Sequence, residues 1–307
     1  MEPIATHNLT KDYGSGRGVF DVSIAVRAGE VFGFLGPNGA GKSTTIRHLM
    51  GFSRPDAGDA RLFGLDSFGH YAEVMGRVGY LPGEIALPAG LTGTEFLAMM
   101  RTLRRQKTDR TAELLDTFAL DPSGDTKRMS LGDKRKLAVV AAFMHDPEVL
   151  ILDEPTSGLD IVMQERFVRL VSDEKARGKT ILLSSHIFSE VDSTCDRIAI
   201  IKDGRIVSDF VADDLKHKTD KIYELTFADA ARCAAFVQTC RDNPAFSVTV
   251  PEGSSDTAVV RVNDAHINEL LRAAAHGGVV RLRHRRETLE DYFMRFYKED
   301  KTFGGVA

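Results

Sequence analysis

Short runs almost free of polar residues recur along this chain: VFGFL at 31–35, VLIL at 149–152 and TILL at 180–183. Such runs fit strands buried on both faces of a parallel sheet. The stretches between them change period. STTIRHLM reads as a helix stopped by Gly51, a suitable C-terminal cap. Between about 84 and 146, GTEFLAMMRTLRRQ, RTAELLDTFAL and the segment 134–144 read as helices, with Leu97, Met100 and Leu103 expected in the core. The basic run Arg101, Arg104, Arg105 and Lys107 is expected on a solvated helix face. GDARLFGLD reads as one strand of an antiparallel edge, and IAIIKDGRIVSDF as a hairpin around Asp203-Gly204.

Beyond about residue 216 the order becomes strand-helix-strand-strand-helix-strand: KIYELTF, ADAARCAAFVQTC, FSVTV, TAVVRV, INELLRAAA and VVRLRHRRE. That order predicts a small α+β ferredoxin-like module. Arg281, Arg283, Arg285 and Arg286 alternate along its last strand. An exposed strand face explains them; binding to nucleic acid or lipid head groups is the alternative.

The composition, 43% hydrophobic and 27% charged, supports a buried core, and a net charge of −4 argues against a general nucleic-acid binder. No apolar run approaches the roughly 20 residues of a membrane-spanning helix. The start, MEPIATHNLTKDYG, lacks the profile of a signal peptide. Cys195, Cys233 and Cys240 have no metal-ligand spacing, as expected of reduced thiols in a cytosolic setting.

Candidate chemistry concentrates at the ends of the apolar runs. Gly36, Pro37, Asn38, Gly39, Ala40, Gly41, Lys42 and Ser43 match G-x-x-x-x-G-K-[ST] between a strand and a helix. Triphosphate oxygens need many N–H donors at close range, and glycines let the backbone approach without Cβ clashes. Lys42 would reach the β- and γ-phosphates of ATP, and Ser43 would ligate Mg²⁺. The run at 149–152 ends in Asp153-Glu154. In open α/β sheets, catalytic groups collect at the carboxyl ends of strands. Asp153 would hold Mg²⁺ and Glu154 would polarise the attacking water. His186 follows the run at 180–183 and is expected at the γ-phosphate.

Over roughly residues 3 to 212 the chain resembles the nucleotide-binding subunit of an ATP-binding cassette (ABC) transporter. The resemblance rests on the phosphate loop from Gly36 to Thr44, LILDEP at 150–155, SGLD at 157–160, His186, and MSLGDKRKL at 129–137, which resembles the family signature. It implies a P-loop NTPase cassette of α/β class: a mixed sheet core with an antiparallel β edge and a helical subdomain at about 84–146. The expected boundaries are 1–215 for the ATP-binding domain and 216–307 for the accessory one. Tyr13 matches the aromatic residue that stacks on adenine. Ser130, Leu131 and Gly132 open a helix as part of a capping box with Asp133, and the resemblance points them at an ATP held by an opposite subunit. A homodimer or heterodimer follows, with Asp160 helping to couple its two sites. A separate transmembrane permease is the implied partner, at the inner face of the cell membrane, and no nucleic acid is expected. The last helix, ETLEDYFMRFY, resembles exporter-type subunits and leans toward drug, lipid or polysaccharide export. Two other readings stay open: a non-transport ABC ATPase acting on ribosomes or DNA, and a module that senses ATP without hydrolysing it.

Four positions depart from the family pattern. Leu131 replaces a common glycine. Asp133 replaces an uncharged residue and is expected to point away from the nucleotide. Ile161 replaces a frequent proline. Gly83, in GYLPGEIALP, stands where a glutamine normally meets the metal and the attacking water. Glu84 is the candidate substitute as a metal ligand; the alternative is a solvated Glu84 and a metal that keeps an extra water.

Overall fold

The unbroken apolar runs form the innermost strands of a six-stranded sheet. The computed structural model describes residues 2–104, 108–216, 220–241, 243–251, 253–285 and 288–297. The chain divides into two units between Ala212 and Asp213.

The first unit opens with an antiparallel pair, β1 (Ile4–Asp12) and β2 (Gly18–Val26). β3 (Val31–Leu35) leads into α1 (Lys42–Leu49). β4 (Ala57–Leu62) and β5 (Leu65–Asp66) complete a sheet of order β2-β1-β4-β5. The single strand expected over GDARLFGLD is therefore two. Phe63 (φ 55°) and Gly64 (φ 80°) both turn left-handed and reverse the chain.

Next come α2 (Tyr71–Met75), β6 (Val78–Leu81), α3 (Gly93–Arg104), α4 (Thr111–Thr117) and α5 (Leu131–Phe143). The unit continues through β7 (Val149–Asp153), α6 (Ile161–Ala176), β8 (Thr180–Ser185), α7 (Phe188–Thr194), β9 (Arg197–Lys202) and β10 (Arg205–Val211). The second sheet has the order β10-β9-β3-β8-β7-β6, parallel apart from β10. The β9–β10 hairpin turns at Asp203 (φ 48°) and Gly204 (φ 72°), as its sequence predicts. Every residue of β3, β7 and β8 is buried. Phe32, Phe34, Ile151 and Leu182 from this sheet share a core with Ile4, Leu9 and Val22 from the other and with Ile46 and Leu49 of α1. That core holds α1 rigidly, with its N-terminus just past the carboxyl end of β3.

Phe96 and Leu97 anchor α3, but Met100 is only half-buried and Leu103 is 69% exposed, against expectation. Both line a groove with Phe96 instead of entering the core. The basic run is not uniformly solvated either. Arg104 turns inward, donating to Val78 O at 2.6 Å and to His145 Nε2 at 2.5 Å, while Arg101 pairs with Asp109. Burial lowers the Arg104 pKa to about 10. Arg105 and Lys107 lie outside the described residues.

α8 (Ala212–Lys216) spans the division between the units. The second unit contains β11 (Asp220–Phe227), α9 (Ala230–Arg241), β12 (Phe246–Thr249), β13 (Thr257–Asn263), α10 (Ile267–Gly277), β14 (Val279–Arg285) and α11 (Leu289–Tyr297). Its antiparallel sheet runs β12-β13-β11-β14, the split βαβ order of ferredoxin-like modules. Leu225, Phe227, Val260 and Val262 of the sheet pack with Phe236 of α9 and Leu270 of α10. Arg281, Arg283 and Arg285 are exposed on the edge strand β14, and Arg286 lies outside the described residues.

A charged cluster braces the back of the first unit. Glu174 on α6 is buried and pairs with Arg110 (2.5 Å) and Arg177 (3.0 Å), while Asp146 takes Arg177 and Lys179. Removing one partner of a buried pair strands the rest. Glu174→Ala is expected to cost about 3 kcal/mol of unfolding free energy in urea titration, and Glu174→Gln about half of that.

Candidate functional site

Past β3 the chain curls through Gly36 to Ala40 before entering α1. Gly39 (φ 82°) and Gly41 (φ 114°) take the left-handed conformation that glycine tolerates. A Cβ at Gly36 would lie 2.6 Å from Ile201 O, and one at Gly41 2.7 Å from Val19 Cγ1. The curl is thus closed to larger residues at both positions. No side chain caps α1, so its first N–H groups are left for an anion. Lys42 is 5% exposed and donates to Gly36 O (2.6 Å) and Pro37 O (3.2 Å). Ser43 is exposed and Thr44 half-buried one step along.

Sheet register brings the other candidates to this edge. Leu35 pairs with Ser185, and Asp153 with Ser184. Asp153 is buried, and its Oδ1 accepts from Ser184 Oγ. Glu154 leaves β7 with φ 47°, a costly conformation for a residue with a side chain. Its N–H donates to Ser184 O at 3.1 Å. The turn aims the carboxylate at the Lys42 ammonium and the His186 imidazole. Glu154 Oε1 stands 3.0 Å from Lys42 Nζ, in ion-pair range without hydrogen-bond alignment, and Oε2 accepts from His186 Nδ1 at 2.5 Å. Lys42, Glu154 and His186 form one linked polar chain beside Asp153.

Gly83 faces this group. A Cβ there would lie 3.2 Å from Asp153 Oδ2, whereas Glu84 is exposed. The backbone of Pro82 and Gly83 is held by Arg135 of α5, which sequence reasoning missed. Arg135 is 3% exposed and donates to Pro82 O (2.9 Å), Gly83 O (2.6 Å) and Ser157 O (2.9 Å). Burial lowers its pKa, while Asp153 and Glu154 pull the other way. One guanidinium therefore ties the loop at 82–83 to the loop after Glu154.

The remaining candidates lie apart from the phosphate loop. Ser130 caps α5: its Oγ accepts from Asp133 N (3.1 Å) and donates to Asp133 Oδ2 (2.8 Å). The N-cap half of the box is thus formed, with the Asp133 carboxylate folded onto the Ser130 hydroxyl and near Lys136 (3.5 Å). Leu131 is 65% exposed. It stands close enough that a Cβ at Gly158 would lie 3.3 Å from its Cδ2, and Gly132 adjoins Gly158 O in the same way. Asp160 caps α6 by accepting from Met163 N at 2.9 Å. Tyr13 is 56% exposed on the turn after β1, with Lys11 Nζ 6.0 Å from its ring centre.

The donor set fits a phosphate-bound Mg²⁺. Among the described residues no three His, Cys, Asp or Glu side chains gather into a metal cage. A magnesium on phosphates needs only one or two protein oxygens, and Ser43 Oγ and Asp153 Oδ2 are hard oxygens at the curl. A second set of residues that sequence reasoning missed lies behind this edge: Ser184, Ser185 and the buried Glu190 of α7. The signal for the serines was present, as two polar residues closing an otherwise apolar strand.

Arg135→Gln strands buried carbonyl groups. It is expected to lower unfolding free energy by about 3 kcal/mol in urea titration. Arg135→Lys is expected to recover less than half, since an ammonium lacks the planar fork.

Comparison with known proteins places this geometry. The family model described as ABC transporter matches residues 19–157. The bacitracin transport ATP-binding protein of Bacillus licheniformis is 33% identical, with 95% of this chain and 96% of that protein covered. The Nod factor export ATP-binding protein I of Burkholderia lata is 34% identical, with 96% and 97% covered. The solved structure of an ATP-binding subunit of an ABC transporter superposes with a TM-score of 0.64 at 30% identity, covering 69% of this chain and 91% of that one. With the phosphate curl, the paired acids and the histidine on one sheet edge, these likenesses show that the chain belongs to the ABC transporter family, as an ATPase subunit.

Proposed function

We propose that this chain hydrolyses MgATP to energise a separate membrane permease, in the direction of export. The observation that carries the reading is the Lys42–Glu154–His186 chain beside Asp153, at the mouth of a glycine curl shaped for phosphates.

The steps follow from the contacts. Phosphate oxygens entering the curl compete with Glu154 for Lys42. Released from the ammonium, Glu154 can accept a proton from the attacking water. His186 stays on Glu154 Oε2 and orients that carboxylate. Ser43 and Asp153 would hold Mg²⁺, which neutralises phosphate charge when bound. Tyr13, with its ring in solvent, would stack on adenine. Gly83 brings no side chain, so the loop at 82–83 contributes through its backbone and Arg135. Glu84 would reach the metal only if that loop shifted.

Dimerisation completes the reading. Leu131, Ile161 and Val162 are 65%, 75% and 55% exposed at the starts of α5 and α6. Large apolar side chains in solvent around two helix starts suit burial against a second cassette. There Ser130 to Gly132 would meet the partner's ATP through the N-terminus of α5. The permease would dock in the groove between α2, β6 and α3, about 830 Å³ and lined by Phe52, Tyr71, Met75, Ile85, Met100 and Leu103. Likeness to a bacitracin transport protein and a Nod factor export protein supports export of a drug, lipid or polysaccharide cargo. A cytoplasmic place on the inner face of the membrane goes with that role.

Glu154→Gln removes the base and keeps the shape. Hydrolysis is expected to fall by at least about 100-fold while ATP-induced dimers accumulate in light scattering. Equal, negligible rates in wild type and variant would favour an ATP sensor. Glu84→Ala is expected to leave the rate and the Mg²⁺ concentration dependence within about twofold. A clear rise in the Mg²⁺ requirement would make Glu84 a metal ligand.

A further inference from the structure

Glu190 is the most deeply buried carboxylate near the site that the reaction leaves unused. It sits on α7, 5% exposed, in a small cavity between α6 and α7. Among the described residues no cation pairs with it; the nearby charge that acts on it is Glu154, of the same sign. Burying a carboxyl without a counter-ion is expensive, and an apolar residue would fill that space at lower cost.

Its contacts show what a carboxyl accomplishes there. Ser185, fully buried at the end of β8, immediately precedes His186. Ser185 Oγ accepts from Ile187 N at 2.9 Å, so its single proton goes to Glu190 Oε2 at 2.6 Å. The turn carrying His186 is thus braced on both sides of the histidine. Glu190 Oε1 lacks an aligned partner, but the buried hydroxyl of Thr156 lies beside the carboxyl. Thr156 is two residues after Glu154. One carboxyl therefore touches the segment that presents His186 and the segment that follows Glu154.

We infer that Glu190 is a positioning residue for hydrolysis, acting through Ser185 and Thr156 to hold His186 in register with Glu154. The assignment rests on the proposed role of Glu154 and His186. Burial supports it by pushing the Glu190 pKa up to about 7. The neutral acid is then well populated near neutrality, and glutamine is its close isostere.

The test compares steady-state ATP hydrolysis by the full chain in wild type, Glu190→Gln, Glu190→Ala and Ser185→Ala, with Glu154→Gln as the reference for loss of the base. Glu190→Ala is expected to lower kcat by about 10- to 100-fold with KM for ATP within about twofold, since small misplacements cost rate more than binding. Glu190→Gln, which keeps an acceptor for Ser185, should retain more than half of kcat. Ser185→Ala should reproduce the loss, and the double variant should add nothing further, as for residues acting as one unit. Rates are normalised to folded protein by thermal unfolding, so a merely structural role would lower the melting temperature and leave kcat per folded site unchanged. That result, or Glu190→Ala within twofold of wild type, or equal losses in the Ala and Gln variants, overturns the assignment. A wild type no faster than Glu154→Gln overturns the hydrolysis reading itself and this assignment with it.

Discussion

The hydrogen-bond register of β3, β8 and β7 is the constraint on which the site depends. It pairs Leu35 with Ser185 and Asp153 with Ser184, so three strand ends finish at one edge. The phosphate curl, the acids and the histidine then meet without any long-range side-chain contact having to choose them. A slip of one residue would turn each buried strand's alternate faces around, and the mainly apolar composition of these strands would not by itself resist it. The helices packed on the sheet and the polar residues at its edge pin the register instead: Ser184 bonds to both Asp153 and Glu154 across it.

Polar groups inside this edge are arranged so that each carboxylate has a distinct environment. Asp153 accepts from a serine on Oδ1 and faces a glycine with Oδ2. Glu154 is gripped by Lys42 and His186 and bent out of the strand by a left-handed backbone. Glu190, without a cation, takes up a proton near neutrality. The three acids at or behind this edge are thereby turned in different directions by their immediate neighbours. Strain at Glu154 is tolerated because Ser184 and the surrounding strands over-determine its position.

Arg135 gives the edge its connection to the helical region. Its guanidinium spans from α5 to the loops at 82–83 and 157, using the rigid fork that a lysine lacks. A displacement of α5 would therefore be felt at the residues beside Asp153 and just after Glu154. Gly83 suits this arrangement, since a side chain there would crowd Asp153.

Much of this was legible in the chain itself. The apolar runs determined which strands lie innermost, because a strand buried on both faces admits few polar residues, and those here sit at its ends. The glycine spacing of the phosphate loop, the acid pair after the run at 149–152 and the strand-helix order of the second unit are local patterns with one favoured outcome. Other features were decided only by tertiary structure. Leu103 continues the apolar stripe of α3 yet stands 69% exposed in a groove with Phe96 and Met100. Arg104 belongs to a basic run yet points inward, drawn by the carbonyl of Val78 and the imidazole of His145. The roles of Arg135 and Glu190 depend on residues 22 to 53 positions away for the one and on the folding back of Ser185 and Thr156 for the other. Periodicity records which face of an element is apolar; what that face meets, and which buried charge finds an acceptor, is set by packing between elements distant in sequence.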